Sequence, residues 1–198
     1  MKTYGLAILA AVAAAPVMAQ ETREMDSHVH GVSTMTLVVE GDRLEIELTS
    51  PGVNIVGFEY AASSDADKDA IAQALRAMLV TENIVSLPDA AQCRLTDVAV
   101  NLNADDDEHH DDHGDDAHNH DDDHDNADAE NADSAEHTEF HATYGFDCGD
   151  PAALTRIGLP FFDQFPNAQE IEAQFVTDAG ASAAEIDRDT AELVLNDA

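Results

Sequence analysis

The sequence predicts an α+β fold: mainly antiparallel β-sheet with two helices, one disulfide, and a long disordered His/Asp-rich hairpin loop. Three observations carry that prediction. Several short runs place apolar residues at every second position, the pattern of half-buried strands. An apolar stripe at helical spacing follows Asp65. Two cysteines, Cys93 and Cys148, flank a segment too acidic to build a core of its own.

The chain opens with Lys2, an apolar run from Leu6 to Val17, and the ending Val17-Met18-Ala19. This reads as a bacterial secretory signal peptide over residues 1–19. The run is too short and Ala-rich to stay as a membrane span, and no Cys follows the cleavage point to carry a lipid. Residues 20–198 then form a single α+β domain, interrupted by the loop 105–136, with the periplasm as the expected location.

Within that domain, Ser33–Val39 and Arg43–Thr49 read as strands joined by Glu40-Gly41-Asp42, and Leu44, Ile46 and Leu48 alternate with Glu45 and Glu47. Pro51-Gly52 reads as a turn and Val53–Tyr60 as extended. A helix starts near Asp65, capped by Ser64 or Asp65, with Ile71, Leu75, Met78 and Leu79 as its buried stripe. Pro88 turns the chain into Cys93, and Leu95, Val98, Val100 and Leu102 mark a strand that runs into the acidic tract. Beyond the tract, Phe140, Ala142, Tyr144 and Phe146 mark a strand ending at Cys148, expected to pair antiparallel with the one before. Setting Cys93 opposite Cys148 puts Asn101 opposite Phe140 and mixes the faces, so a bulge is expected. Pro151–Phe165 reads as a helix broken near Pro160, with Leu154, Ile157, Phe161, Phe162 and Phe165 inward; Ile171–Thr177, Ala183–Ile186 and Glu192–Leu195 read as closing strands.

The tract from Asp105 to Glu136 holds sixteen Asp or Glu and six His, with no Lys or Arg and no apolar residue larger than Ala. Such a segment cannot offset the entropy of being ordered, so it is expected to be disordered unless something binds it. A solvated acidic loop explains its Asp but not His109, His110, His113, His118, His120 and His124. Imidazole with carboxylate is the ligand set of borderline divalent metals: Zn2+ first, then Ni2+ or Cu2+. The net charge of −34 is not confined there, since 26 of the 42 acids lie outside the tract against eight Lys and Arg. Nucleic acid and anionic membrane surfaces are therefore excluded as partners.

Two cysteines in an oxidising compartment point to one disulfide, Cys93–Cys148. It closes a loop of 54 intervening residues containing the whole tract, with an upper bound of roughly 4 kcal/mol in the chain-entropy model. The ordered histidines carry a second metal signal. In a strand, residues i and i+2 share a face about 7 Å apart. His28 and His30 can then reach one ion, as can Glu139 and His141. His137 is another two residues back, about 13 Å from His141, too far to chelate one ion with it directly. If the N-terminal strand lies beside the strand leaving the tract, His28, His30, Glu139 and His141 complete a tetrahedral site.

The chain resembles the zinc-regulated periplasmic ZrgA-type family of bacterial zinc-uptake proteins. The resemblance rests on His28-Val29-His30-Gly31 after the signal peptide, Pro51-Gly52 with Gly57-Phe58-Glu59, and Ala91-Gln92-Cys93 before a His/Asp-rich insertion. It continues in His141 with Tyr144-Gly145-Phe146-Asp147-Cys148 and in Phe161-Phe162-Asp163-Gln164-Phe165-Pro166. The family often has His after Gly-Phe-Glu; Tyr60 stands there in this chain, and no ligand is carried over to it. The resemblance implies periplasmic zinc binding, production under zinc limitation, and delivery to an ABC-type zinc importer, with its solute-binding component as partner.

No Gly-x-Ser-x-Gly, phosphate-cradling Gly loop or His-Glu-x-x-His occurs, so a catalytic role is not expected. The enzyme alternative is a zinc hydrolase with His28, His30 and His141 as ligands and Glu139 as base. The other alternative is a protective metal sponge for zinc, nickel or copper with no transport role.

Protons and zinc compete for imidazole nitrogens, whose ordinary pKa is about 6.5. Zinc held by the tract should therefore fall steeply between about pH 7.5 and 5.5, with proton release on binding, while weak calcium binding to its carboxylates hardly changes. Zinc stoichiometry measured at both ends of that range checks this; equal loading at the acid end makes the histidines bystanders.

Overall fold

A computed structural model describes residues 29–104 and 137–195. The expectations for the signal peptide, His28 and the six tract histidines lie outside the described residues. Strands β1 (Val32–Glu40) and β2 (Arg43–Pro51) form the first hairpin, closed at Gly41-Asp42, where Gly41 adopts φ 62°. A single-turn helix α1 (Gly52–Ile55) follows, then helix α2 (Asp65–Met78) and the long hairpin of β3 (Cys93–Ala104) and β4 (Thr138–Cys148). The remaining elements are β5 (Arg156–Gly158), the single-turn α3 (Phe161–Gln164), β6 (Glu170–Thr177), β7 (Gly180–Asp187) and β8 (Glu192–Val194).

Six strands form one sheet in the order β3-β4-β2-β1-β6-β7, and β5 pairs with β8 in a small second sheet. Every pair is antiparallel except β1 with β6. The period-2 pattern sorts the two faces. Met35, Leu37, Leu44, Ile46, Leu48, Phe140, Ala142, Tyr144, Ile171, Ala173 and Phe175 are buried on one. Met78, Phe161, Phe162 and Phe165 join the same core from the covering layer. The other face carries Glu45, Glu47, Glu172 and Glu185 toward solvent.

The bulge expected near the cysteines is present. The register slips between Leu95 and Asp97, so Cys93 faces Cys148 while Leu102, not Asn101, faces Phe140. The disulfide Cys93–Cys148 joins those facing residues. It does not sit at the root of the tract. The hairpin stands between them, an 11-residue strand that spans roughly 35 Å.

Four expectations change. Val53–Tyr60 is not extended throughout, because Gly52–Ile55 winds into α1. The reason is tertiary: buried Asn54 accepts a hydrogen bond from Gly31 N (2.7 Å) and donates to Val32 O (2.9 Å), tying this turn to the start of β1. Leu79 falls just beyond α2 and is exposed, while Ala74 joins Met78 in the buried stripe. Leu95 is exposed on the edge strand before the bulge. The stretch from Pro151 is not one helix; β5 runs through it, as expected of the β-branched Thr155 and Ile157 with Leu159 held out of the helical region by Pro160. Its five inward residues are nonetheless all buried.

Ser64 caps α2 in a capping box with Asp67. At the other end, the buried Tyr144 hydroxyl donates to Met78 O (2.9 Å), one of the carbonyls a helix leaves without an internal partner. Burial pushes the Tyr144 phenol well above its ordinary 10.0. A folded-state value raised above the unfolded one means stability is intact below about pH 10 and lost above it. Tyr144→Phe should cost about 1 kcal/mol near neutral pH and flatten the alkaline loss, read by denaturant unfolding. Replacing Cys93 and Cys148 by Ser should lower the melting temperature, by no more than about 4 kcal/mol in stability.

Candidate metal centre

Antiparallel pairing gathers the histidines at one end of the sheet. Thr49 near the end of β2 faces Thr34 near the start of β1 and His141 near the start of β4, and Pro51 faces Glu139. The tract leaves and re-enters at this same end, between Ala104 and Thr138.

His30 occupies the corner of a tight turn in which Val32 N bonds to Val29 O (3.0 Å) and Gly31 adopts φ 92°. That positive φ suits glycine, the ordinary residue at the third position of a type II turn. Asn54 grips Gly31 and Val32 from below, and Ser33 and Ser50 share a buried hydroxyl contact (2.8 Å) alongside. The ring of His30 is thereby presented by a fixed backbone.

Its partner is Glu59, a residue that the reading of the sequence did not single out as a ligand. Glu59 lies between Phe58 and Tyr60, whose rings stack at 4.7 Å. In an extended segment those two rings share one side and direct Glu59 to the other. Glu59 Oε2 meets His30 Nε2 at 3.2 Å and His137 Nδ1 at 3.1 Å. The backbone adds a third tie, Thr138 N to Glu59 O (2.9 Å). A close approach explains Gly52 here: a Cβ on it would clash with Phe58 O and the Thr138 side chain. The carboxylate is only 13 % exposed, whereas His30 and His137 are 68 % and 51 % exposed. Glu59 Oε1 is buried with no hydrogen-bond partner among the described residues.

A second pair lies along β4. His141 Nε2 stands 2.6 Å from Glu139 Oε2, and its Nδ1 stands 3.2 Å from Thr49 Oγ1. The N-terminal strand does not lie beside β4, because β2 runs between them. His30 therefore meets His137 through Glu59, while Glu139 and His141 meet each other. Among the described residues, no three His, Cys, Asp or Glu side chains already form a cage for an ion. Both groups are held by contacts of hydrogen-bond length. The donor chemistry suits zinc: ligands roughly 2.0–2.1 Å from a tetrahedral ion lie about 3.3–3.4 Å apart, near the observed 3.1 and 3.2 Å.

The surrounding field is negative. On the outer face of β6 and β7, Glu170 is pushed up from the ordinary carboxylate value by partial desolvation and by Glu185, Asp187 and Glu172. At the far end of β2 a surface cleft of about 270 Å³ is lined by Arg43, Glu45 and Asp97, with Arg43 already paired to both acids.

No curated relative matches the sequence. The family model described as "ZrgA family zinc uptake protein" matches residues 27–195, a span that takes in both His–carboxylate groups, the disulfide and every strand among the described residues. The chain belongs to the ZrgA family of zinc uptake proteins.

Proposed function

We propose that this protein captures or buffers zinc in the periplasm and assists its delivery to an ABC-type zinc importer, without catalysing a reaction. The observation that carries the reading is the Glu59 carboxylate, largely withdrawn from water, shared by two exposed histidines and holding one buried oxygen without a described partner. A buried acceptor beside two accessible imidazoles is a place where a divalent cation gains ligands and relieves a desolvated charge together. The family match supports zinc as the cargo. The acidic surface and the six tract histidines raise the local concentration of cations around that place.

The hydrolase alternative is less well supported, since it needs His30 and His141 on one ion, and the two rings turn to different carboxylates. The sponge alternative differs in physiology: a deletion strain that grows normally when starved of zinc but dies in excess zinc would favour it.

Zinc should bind in two classes. The ordered site loses less entropy on binding than the tract and should be the tighter. Glu59→Gln should weaken the tight class on the order of a hundredfold, about 2.7 kcal/mol, and leave the weak class in place. Isothermal titration with zinc reads both. A single class that survives Glu59→Gln overturns the assignment.

A further inference from the structure

We infer that the end of the sheet where β4 begins presents two separate zinc positions, one at His30, Glu59 and His137 and a more open one at Glu139 and His141, oriented by Thr49. This rests on the zinc-binding reading above and divides its ordered site in two. Thr138 and Phe140 are buried, so His137, Glu139 and His141 fall on the opposite side of the strand. His137 and His141 stand about 13 Å apart along an extended chain. Ligand atoms of one tetrahedral ion lie only about 3.4 Å from each other. To share an ion the two rings would have to lean together, yet each is already turned elsewhere: His137 Nδ1 to Glu59, His141 Nε2 to Glu139. The two groups therefore serve two ions.

The second position has its own orienting contact. Thr49 faces His141 in the register of β2 with β4, and its hydroxyl meets Nδ1 at 3.2 Å. Once Nε2 takes an ion in place of its proton, Nδ1 carries the hydrogen and donates it to the Thr49 hydroxyl, which holds the ring in that tautomer. Separating Nε2 and Oε2 from 2.6 Å by roughly 0.7 Å admits the ion between them. Among the described residues two ligands stand here, which leaves the other coordination positions to further donors. A position open in that way exchanges its ion readily, while the three-ligand group retains it. Side by side at one end of the sheet, they suit a protein that must both hold zinc and release it.

The test uses the full chain with His109, His110, His113, His118, His120 and His124 each replaced by Asn, loaded with cadmium as a spectroscopic stand-in. Cadmium NMR should show two resonances. Glu59→Gln should remove one, and His141→Gln the other. Thr49→Val, which leaves both ligands in place, should shift the second resonance and weaken that position about 10- to 100-fold without moving the first. Far-UV dichroism establishes that each variant is folded. One resonance abolished by both Glu59→Gln and His141→Gln would mean a single shared ion, overturning this inference while sparing the zinc reading. No resonance at all would overturn both.

Discussion

Taking a carboxylate out of water costs several kcal/mol unless donors or positive charge meet it, and one end of the sheet is arranged around a carboxylate largely withdrawn from water. Glu59 is fixed by its own backbone, through its carbonyl to Thr138 N, and by the single turn of α1 that precedes it. Two imidazoles from distant parts of the chain supply donors to one of its oxygens. The other oxygen has none among the described residues. In a protein of net charge −34, Lys and Arg are scarce, and no described Lys or Arg pairs with Glu59. A cation from solution is the partner that electrostatics favours.

The sheet separates tasks along its length. One end holds the turn at Gly41, the disulfide and the bulge, which set register and stability. The other end gathers His30, Glu59, His137, Glu139 and His141 where the tract joins the hairpin. Chemistry and covalent reinforcement therefore stand a full strand apart. The β3–β4 ladder up to Ala104 and Thr138 is tied at this end by the Thr138–Glu59 bond, away from the disulfide.

Most strands were legible because alternation survives wherever one face is buried and the other is wet, as in Leu44–Leu48 and Phe140–Phe146. The bulge was legible from the same rule, since only a slip kept Phe140 opposite an apolar residue. What alternation cannot show is a turn stabilised from elsewhere: α1 exists because Asn54 finds Gly31 and Val32, 22 or more residues back. Glu59 was hidden for a related reason. As one acid among 26 outside the tract, it becomes special only when the fold buries it beside two histidines. Its one signal was position, between Phe58 and Tyr60 in the Gly57-Phe58-Glu59 motif. The histidines were visible from their spacing, but their partners were not, since pairing depends on β2 standing between β1 and β4.

The central claim is that Glu59, with His30 and His137, binds zinc. An anomalous-difference map from crystals of the zinc-loaded protein, collected across the zinc absorption edge, tests it most directly. The account predicts a peak about 2.0–2.2 Å from a Glu59 carboxylate oxygen and from a nitrogen of each of His30 and His137. Zinc peaks elsewhere on the protein, with Glu59 still bonded to both rings, would contradict it.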